Sequence, residues 1–396
     1  MTQAADREYR LALRRTVTCG AAVRVLLLLL LLTLGRTLAE PYLMADDGAY
    51  EALAVRYLSL AERPIDPNAL HLVGADAYLE PLWPCTVCLL AGLTGVAWAS
   101  RLLNVLLSSL SVWVVAALAH EATGKSTIGL RTARLMAYLP LSVCTALFPI
   151  KDIYLLLTVF ATLLLLVQLG NGKRVRMSAW LCCIALTVGA LYVRGAVVPF
   201  LAAFALCFAL RRCCRAGRWL TALVLLLGGG LIAYLTRDLI LGELTAKLDA
   251  YGEYAYLDSN VSQLQMRSPG EIWKLPAAYL WATLQPIRLP LLSPSGATLW
   301  WDVLSLLNLS ILPVAVANAL YTVLKKEQPL LFWCGFALYA SVITLSLGVF
   351  RHYLFLFPLE VLNAAICMER TRRQGGGILL LGSAAILLAL ALYSMR

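Results

Sequence analysis

The sequence predicts an all-α polytopic membrane protein with about eleven transmembrane helices and two interfacial helices in its first outer loop. Three observations carry this. Of the 396 residues, 61% are hydrophobic and only 14% charged, whereas soluble domains carry roughly 25% charge. The mean hydropathy is +0.79, and uncharged runs recur at the length of about 20 residues that a hydrocarbon core demands. Arg and Lys gather in the short segments between those runs, which is the positive-inside pattern. That pattern accounts for the net charge of +11. A nucleic-acid partner is therefore not expected.

The first element is basic and then apolar. Arg7, Arg10, Arg14 and Arg15 precede a leucine run from Val25 to Leu34, and Thr37-Leu38-Ala39 has the look of a signal cleavage site. An uncleaved first span is preferred, because the apolar run reaches back to Cys19 and the acidic motif beyond it needs an anchor. The predicted spans are 19–39, 101–120, 130–149, 153–170, 177–193, 196–210, 219–236, 301–323, 329–348, 353–368 and 376–394.

The apolar run 82–98 is set apart by parity. With a cytoplasmic N-terminus, a span there would place every later basic segment outside. Those segments are Lys173 to Arg176, Arg211 to Arg218, Lys325-Lys326 and Arg370 to Arg373. If 82–98 lies along the outer interface, all of them return to the cytoplasm. Trp83 and Trp98 suit that interface, and Gly92, Gly95, Pro84 and Pro81 just before the run suit it better than a span. Residues 47–62 carry Tyr50, Leu53, Ala54, Tyr57, Leu58 and Ala61 at helical spacing, an amphipathic helix expected to lie on the membrane.

The chain reads as one membrane domain, 1–396. Its first part, 1–236, includes the outer loop 40–100. A second outer loop, 237–300, precedes C-terminal spans in 301–396. The chain has eleven cysteines. Cys182, Cys183, Cys207, Cys334 and Cys367 lie in apolar runs, as small hydrophobes do. Cys85 and Cys88 form a C-x-x-C with no matching Cys or His pair, so zinc or redox chemistry is not favoured, and whether the two pair is left open. Gly124-Lys125-Ser126 lacks the first glycine and the strand of a P-loop. Neither His71 nor His120 has a ligand partner in the sequence.

The informative charge is the charge left on the outer side. Asp46 and Asp47 open the helix of residues 47–62. Capping needs one carboxylate, so the other is free. Lys151-Asp152 follows Phe148-Pro149 at the outer mouth of a span, while Arg194 and Arg351 stand in otherwise apolar sequence. Helix capping, snorkelling and lipid headgroups explain each one singly. Together, ionisable groups at span mouths point to function. Guanidinium groups hold phosphate oxygens, and a carboxylate can take a proton from an acceptor hydroxyl. The combination fits chemistry on a lipid-linked phosphate.

The order of these features resembles the GT-C superfamily of polyprenyl-phosphate-sugar-dependent glycosyltransferases, which includes aminoarabinose transferases and protein O-mannosyltransferases. The resemblance covers residues 19 to about 210. It rests on Asp46-Asp47-x-x-Tyr50 leading a juxtamembrane helix, Glu80-Pro81-Leu82-Trp83-Pro84 opening a second one, Arg101-Leu102-Leu103-Asn104 opening a span, and Lys151-Asp152 at an outer turn. Beyond that it touches only Arg351-x-Tyr353, Pro358 and the large outer loop.

The resemblance implies an inverting enzyme that needs no nucleotide sugar. It would move a sugar from a polyprenyl-phosphate donor to a hydroxyl of a glycan, lipid or protein acceptor outside the plasma membrane. Asp46 would be the catalytic acidic residue by its spacing to Tyr50, acting as base or orienting the acceptor with Asp47 or Asp152 assisting, although a following Asp-Gly in the oligosaccharyltransferases would select Asp47. Lys151, Arg194 and Arg351 would bind donor phosphate, and Tyr50, Glu80, His352 and Tyr353 would line the substrate. No cofactor or metal-ligand set is read from the sequence, and a divalent cation stays open. The rival expectations are a transporter or flippase of a lipid-linked sugar, and an O-antigen ligase or polymerase.

Overall fold

A computed structural model describes residues 3–34, 45–78, 80–195, 197–235, 306–326, 328–345, 354–371 and 375–394, with the single positions 237, 242 and 273. Arg351, His352 and Tyr353 lie outside the described residues, as does nearly all of the predicted outer loop 237–300.

Every regular element among the described residues is helical. Helix α1 is Gln3–Leu34, and the first loop folds into α2 (Ala45–Leu60), α3 (Pro67–Val73), a 3-10 turn (Ala75–Ala77) and α4 (Leu82–Thr94). Then come α5 (Ala99–Thr123), α6 (Ser126–Tyr138), α7 (Pro140–Thr145), α8 (Asp152–Gly170), α9 (Met177–Arg194), α10 (Val197–Arg215) and α11 (Trp219–Leu235). The C-terminal group is α12 (Leu312–Val323), α13 (Pro329–Leu345), α14 (Phe357–Arg370) and α15 (Gly375–Ser394). Among the described residues, six helices are long and apolar enough to cross a membrane. They are α1, α5, α8, α9, α10 and the run Leu306–Val323 that ends in α12. The chain is thus built as a membrane-embedded helical protein.

Side-chain contacts fix the helix directions. Tyr9 stacks on His120 with ring centroids 4.7 Å apart, while Arg24 reaches Ser108, so α1 and α5 run antiparallel. Asn104 meets the turn before α8, and Asn171 after α8 bonds the Glu121 carbonyl, so α5 and α8 run parallel. Asn363 donates to Asn318 at 2.9 Å and Arg370 donates to the Lys325 carbonyl, so α12 and α14 are parallel too. Lys173 pairs with Glu121 and Arg212 donates to the Leu169 carbonyl, while Arg131 pairs with Glu369. Lys173, Arg212, Lys325 and Arg370 therefore share one end of the bundle with the N-terminal half of α1.

The predicted span 130–149 is not one helix. Pro140 has no N–H to donate to Met136, so α6 stops at Tyr138 and α7 restarts at Pro140. Arg24 fills the gap from α1. Its side chain donates to the carbonyls of Met136, Ala137 and Gly20 and to the hydroxyls of Ser108 and Ser142, at 2.9 to 3.2 Å. Arg24 is fully buried, and these five bonds use all five of its donors.

The first loop packs on itself. The helix expected to lie on the membrane turns its apolar stripe onto protein instead: Tyr50, Ala54 and Tyr57 of α2 are buried, and α2 lies against α4. At 13 residues, α4 is about 20 Å long, short of the roughly 30 Å a span must cover. Gly92 lets the loop lie on it, since a Cβ there would meet the Pro64 carbonyl oxygen at 2.1 Å. Gly95, at φ 72°, ends the helix. Below α2, the Tyr57 hydroxyl accepts the Asp66 N–H at 2.8 Å and donates to the Pro64 carbonyl at 3.2 Å. Asp66 caps α3 by accepting the N–H groups of Asn68 and Ala69 and also holds that of Glu62.

Candidate functional site

The end opposite the basic segments is organised around one turn, Phe148-Pro149-Ile150. Its three consecutive carbonyls are all held from outside. Asn104, near the start of α5, donates through Nδ2 to Phe148 at 2.5 Å and to Ile150 at 2.9 Å. Trp83, near the start of α4, donates through Nε1 to Pro149 at 2.9 Å. Asn104 is fully buried and Trp83 nearly so. These bonds pin the two residues that follow the turn, Lys151 and Asp152.

Three ion pairs tie successive elements together at this end. Glu51 of α2 pairs with Arg101 of α5, through Nε and through Nη2 at 2.9 Å. Glu80, before α4, pairs with Lys151. Asp152, the first residue of α8, lies 3.2 Å from the Arg194 guanidinium at the end of α9. The Arg101 guanidinium also sits 5.3 Å from the centre of the Phe148 ring, so the first pair joins the same turn. All six side chains are at most one-fifth exposed.

The pairs differ in how much hydrogen-bonding capacity they use. Arg101 and Glu51 are engaged through both carboxylate oxygens. Asp152 and Arg194 are close in charge but not aligned: the buried Oδ1 of Asp152 accepts no hydrogen bond, and no Arg194 N–H has an aligned acceptor among the described residues. Lys151 spends one of an ammonium's three donors on Glu80. Beside them, the Tyr154 hydroxyl donates to the Leu186 carbonyl at 2.9 Å. Gly189 allows that approach, because a Cβ there would meet the tyrosine oxygen at 2.0 Å.

Of the residues singled out in the sequence, the structure brings Glu80, Lys151, Asp152 and Arg194 to one end. Tyr50 packs beside them with Trp83 and Tyr154. Asp46 and Asp47 stand in the first turn of α2, and their side chains lie outside the described residues. Lys151 and Arg194 are each beside a carboxylate and are not the bare cations that the sequence suggested. The reading from sequence missed the Glu51–Arg101 pair and the roles of Asn104 and Trp83. A signal for Arg101 existed: a cation in the first turn of a helix opposes the helix dipole, so it needs an anionic partner.

Other groups resolve simply. Cys85 and Cys88 are free thiols. His71 Nδ1 lies 3.0 Å from Asp76 in the exposed part of the first loop. Gly124 is the left-handed cap of α5. Among the described residues, no three His, Cys, Asp or Glu side chains gather as metal ligands. No family model matches the chain, and neither a curated protein nor a solved structure does.

Proposed function

We propose that this chain is a membrane glycosyltransferase. It takes a sugar from a polyprenyl-phosphate donor and passes it to a hydroxyl on the extracytoplasmic side of the plasma membrane. The observation that carries the reading is the Asp152–Arg194 pair. It is a largely buried guanidinium whose N–H donors have no aligned acceptor among the described residues, set beside a carboxylate at the end of the bundle that the basic segments avoid. Such a guanidinium suits phosphate oxygens.

In this reading the basic end is cytoplasmic, α4 rests along the outer interface, and the spans number about eleven. Helical register sorts the two aspartates of α2. Position 46 lies one turn before Tyr50, on the stripe that faces α4 and Tyr154. Position 47 lies one turn before Glu51. Asp46 is therefore the base. It accepts the proton of the acceptor hydroxyl as that oxygen bonds to the sugar's anomeric carbon. The bond from that carbon to the phosphate oxygen breaks, and polyprenyl phosphate leaves with the electron pair. Lys151, Arg194 and Arg351 stabilise the departing anion, and Asp152 holds Arg194 in place. No cofactor enters this scheme.

A transporter or flippase would carry substrate on charges at mid-span. Arg24 is at mid-helix, but protein acceptors take all of its donors, which supports the enzyme over that rival. Mass spectrometry of cell-envelope glycans with and without the gene tests the proposal. A glycan lacking one sugar, with its lipid-linked donor accumulating, is the expected result. An unchanged glycan profile contradicts it.

A further inference from the structure

A cleft of about 470 Å³ runs along the outer side of α2, lined by Glu51, Ala52, Val55, Arg56, Ser59 and the Ala97-Trp98 turn before α5. Its volume falls in the range of small-molecule sites, about 300–1,000 Å³. Its floor is fixed, because Glu51 is clamped by Arg101 through both carboxylate oxygens. Each of those oxygens keeps a second lone pair.

The remaining polar groups are unspent. Arg56 makes no ion pair and the Trp98 indole N–H no hydrogen bond among the described residues. The Ser59 hydroxyl donates to the Arg56 carbonyl at 2.8 Å and can still accept. Val55 is 58% exposed beside them. The cleft thus offers an aromatic face, fixed acceptors on its floor, and donors at its rim. A polyhydroxylated ring matches this set, with hydroxyls that both donate and accept and a C–H face to lie on an indole. The phosphate of a lipid headgroup offers acceptors alone, so on its own it leaves the Glu51 floor unmatched.

Register links the cleft to the proposed chemistry. Positions 47, 51, 55 and 59 follow one another by single turns on one side of α2. The cleft therefore leads to position 47 at the helix start, the neighbour in the chain of position 46. We propose that this cleft is an acceptor subsite that holds one saccharide unit, with Trp98 as its platform and Glu51, Arg56 and Ser59 on its hydroxyls. This rests on the glycosyltransferase reading for the word acceptor, though not for the sugar.

The test uses the full chain in phosphatidylcholine nanodiscs and saturation-transfer NMR with methyl glycosides of glucose, galactose, mannose, rhamnose and N-acetylglucosamine. At least one glycoside should bind, and Trp98→Ala should weaken it by about tenfold or more. Arg56→Ala, at an exposed position, should weaken it without loss of fold. If no glycoside binds the wild type, or if Trp98→Ala and Arg56→Ala bind as the wild type does, the subsite is refuted. If phosphatidylglycerol in the nanodisc displaces all glycoside signal, the cleft is a headgroup site and the saccharide proposal also falls. Trp98-dependent glycoside binding by a chain that transfers no sugar would retain the sugar site and sink the glycosyltransferase reading. Transfer with Trp98-independent binding would do the reverse.

Discussion

Nη2 of Arg24 lies 2.9 Å from the carbonyl oxygen of Met136, the residue whose helical partner would have been the missing N–H of Pro140. A guanidinium from the first helix thus replaces a backbone donor that proline removed from another. The break lies in the stretch of chain that leads to Phe148-Pro149-Ile150. Replacing Arg24 with Leu strands the Ala137 carbonyl, at about 1–3 kcal/mol, and leaves the Met136 carbonyl with the Ser142 hydroxyl alone. Arg24→Leu should therefore lower the thermal midpoint in detergent sharply. Arg24→Leu with Pro140→Ala should recover part of the loss, because residue 140 then supplies its own N–H. A double variant no more stable than Arg24→Leu would show that the proline is not the reason for the arginine.

The Glu51–Arg101 pair makes a second expectation. Arg101 is only 3% exposed in its side chain. Glu51→Ala would leave that charge without its carboxylate, and breaking such a pair costs roughly 3–5 kcal/mol. Glu51→Gln, which keeps an acceptor, should cost less. The measurement is thermal unfolding of the purified protein together with proteolysis of the first loop. Equal midpoints for Glu51→Ala and the wild type would mean that the pair does not anchor α2.

Acid should open the same loop by another route. Asp66 is held below the usual carboxylate range, chiefly by the Glu62 N–H and also by those of Ala69 and Asn68. Asp76 is lowered first by its hydrogen bond with His71. A depressed folded pKa means stability that is present above the usual carboxylate value and lost as pH falls through the folded value. The protection factor at the start of α3, the intrinsic exchange rate at each pH divided by the observed one, should therefore be high near neutral pH and fall at strongly acidic pH, with Asp66→Ala low at both. A wild-type protection factor that stays constant across that range would contradict the capping role.

Much of the architecture was legible because it follows from solvent. The apolar runs report the bilayer directly, and six of the described helices are long and apolar enough to cross it; Lys173, Arg212, Lys325 and Arg370 come together at one end of the bundle. The break at Pro140 and the burial of Arg24 were less accessible, since an arginine in a leucine run reads as a topology signal until its acceptors are known. The stripe of Tyr50, Ala54 and Tyr57 was visible, but its partner was not. Periodicity shows that a face is covered and is silent on whether lipid or α4 covers it. At the candidate site, Lys151, Asp152 and Arg194 stood out as outer charges. Their pairing with one another and with Glu80 depends on distances between helices that no local pattern encodes.

The topology can be checked alone. A cysteine placed at Lys173, in a chain otherwise free of reactive thiols, should resist a membrane-impermeant maleimide in intact cells and react after permeabilisation. Labelling from outside would invert the bundle and put the Asp152–Arg194 end in the cytoplasm.

The most direct test of the central claim is sugar transfer by purified Asp46→Asn protein, using the polyprenyl-phosphate donor and the acceptor that the glycan comparison identifies. The substitution keeps the size of the side chain and removes its charge. A general base contributes about 10²–10⁴ in rate, so turnover should fall at least about a hundredfold while donor binding and the thermal midpoint stay near wild type. Asp47→Asn should be milder, and Asp152→Asn intermediate. Wild-type turnover by Asp46→Asn would contradict the assignment, and no transfer by the wild type itself would contradict the enzyme.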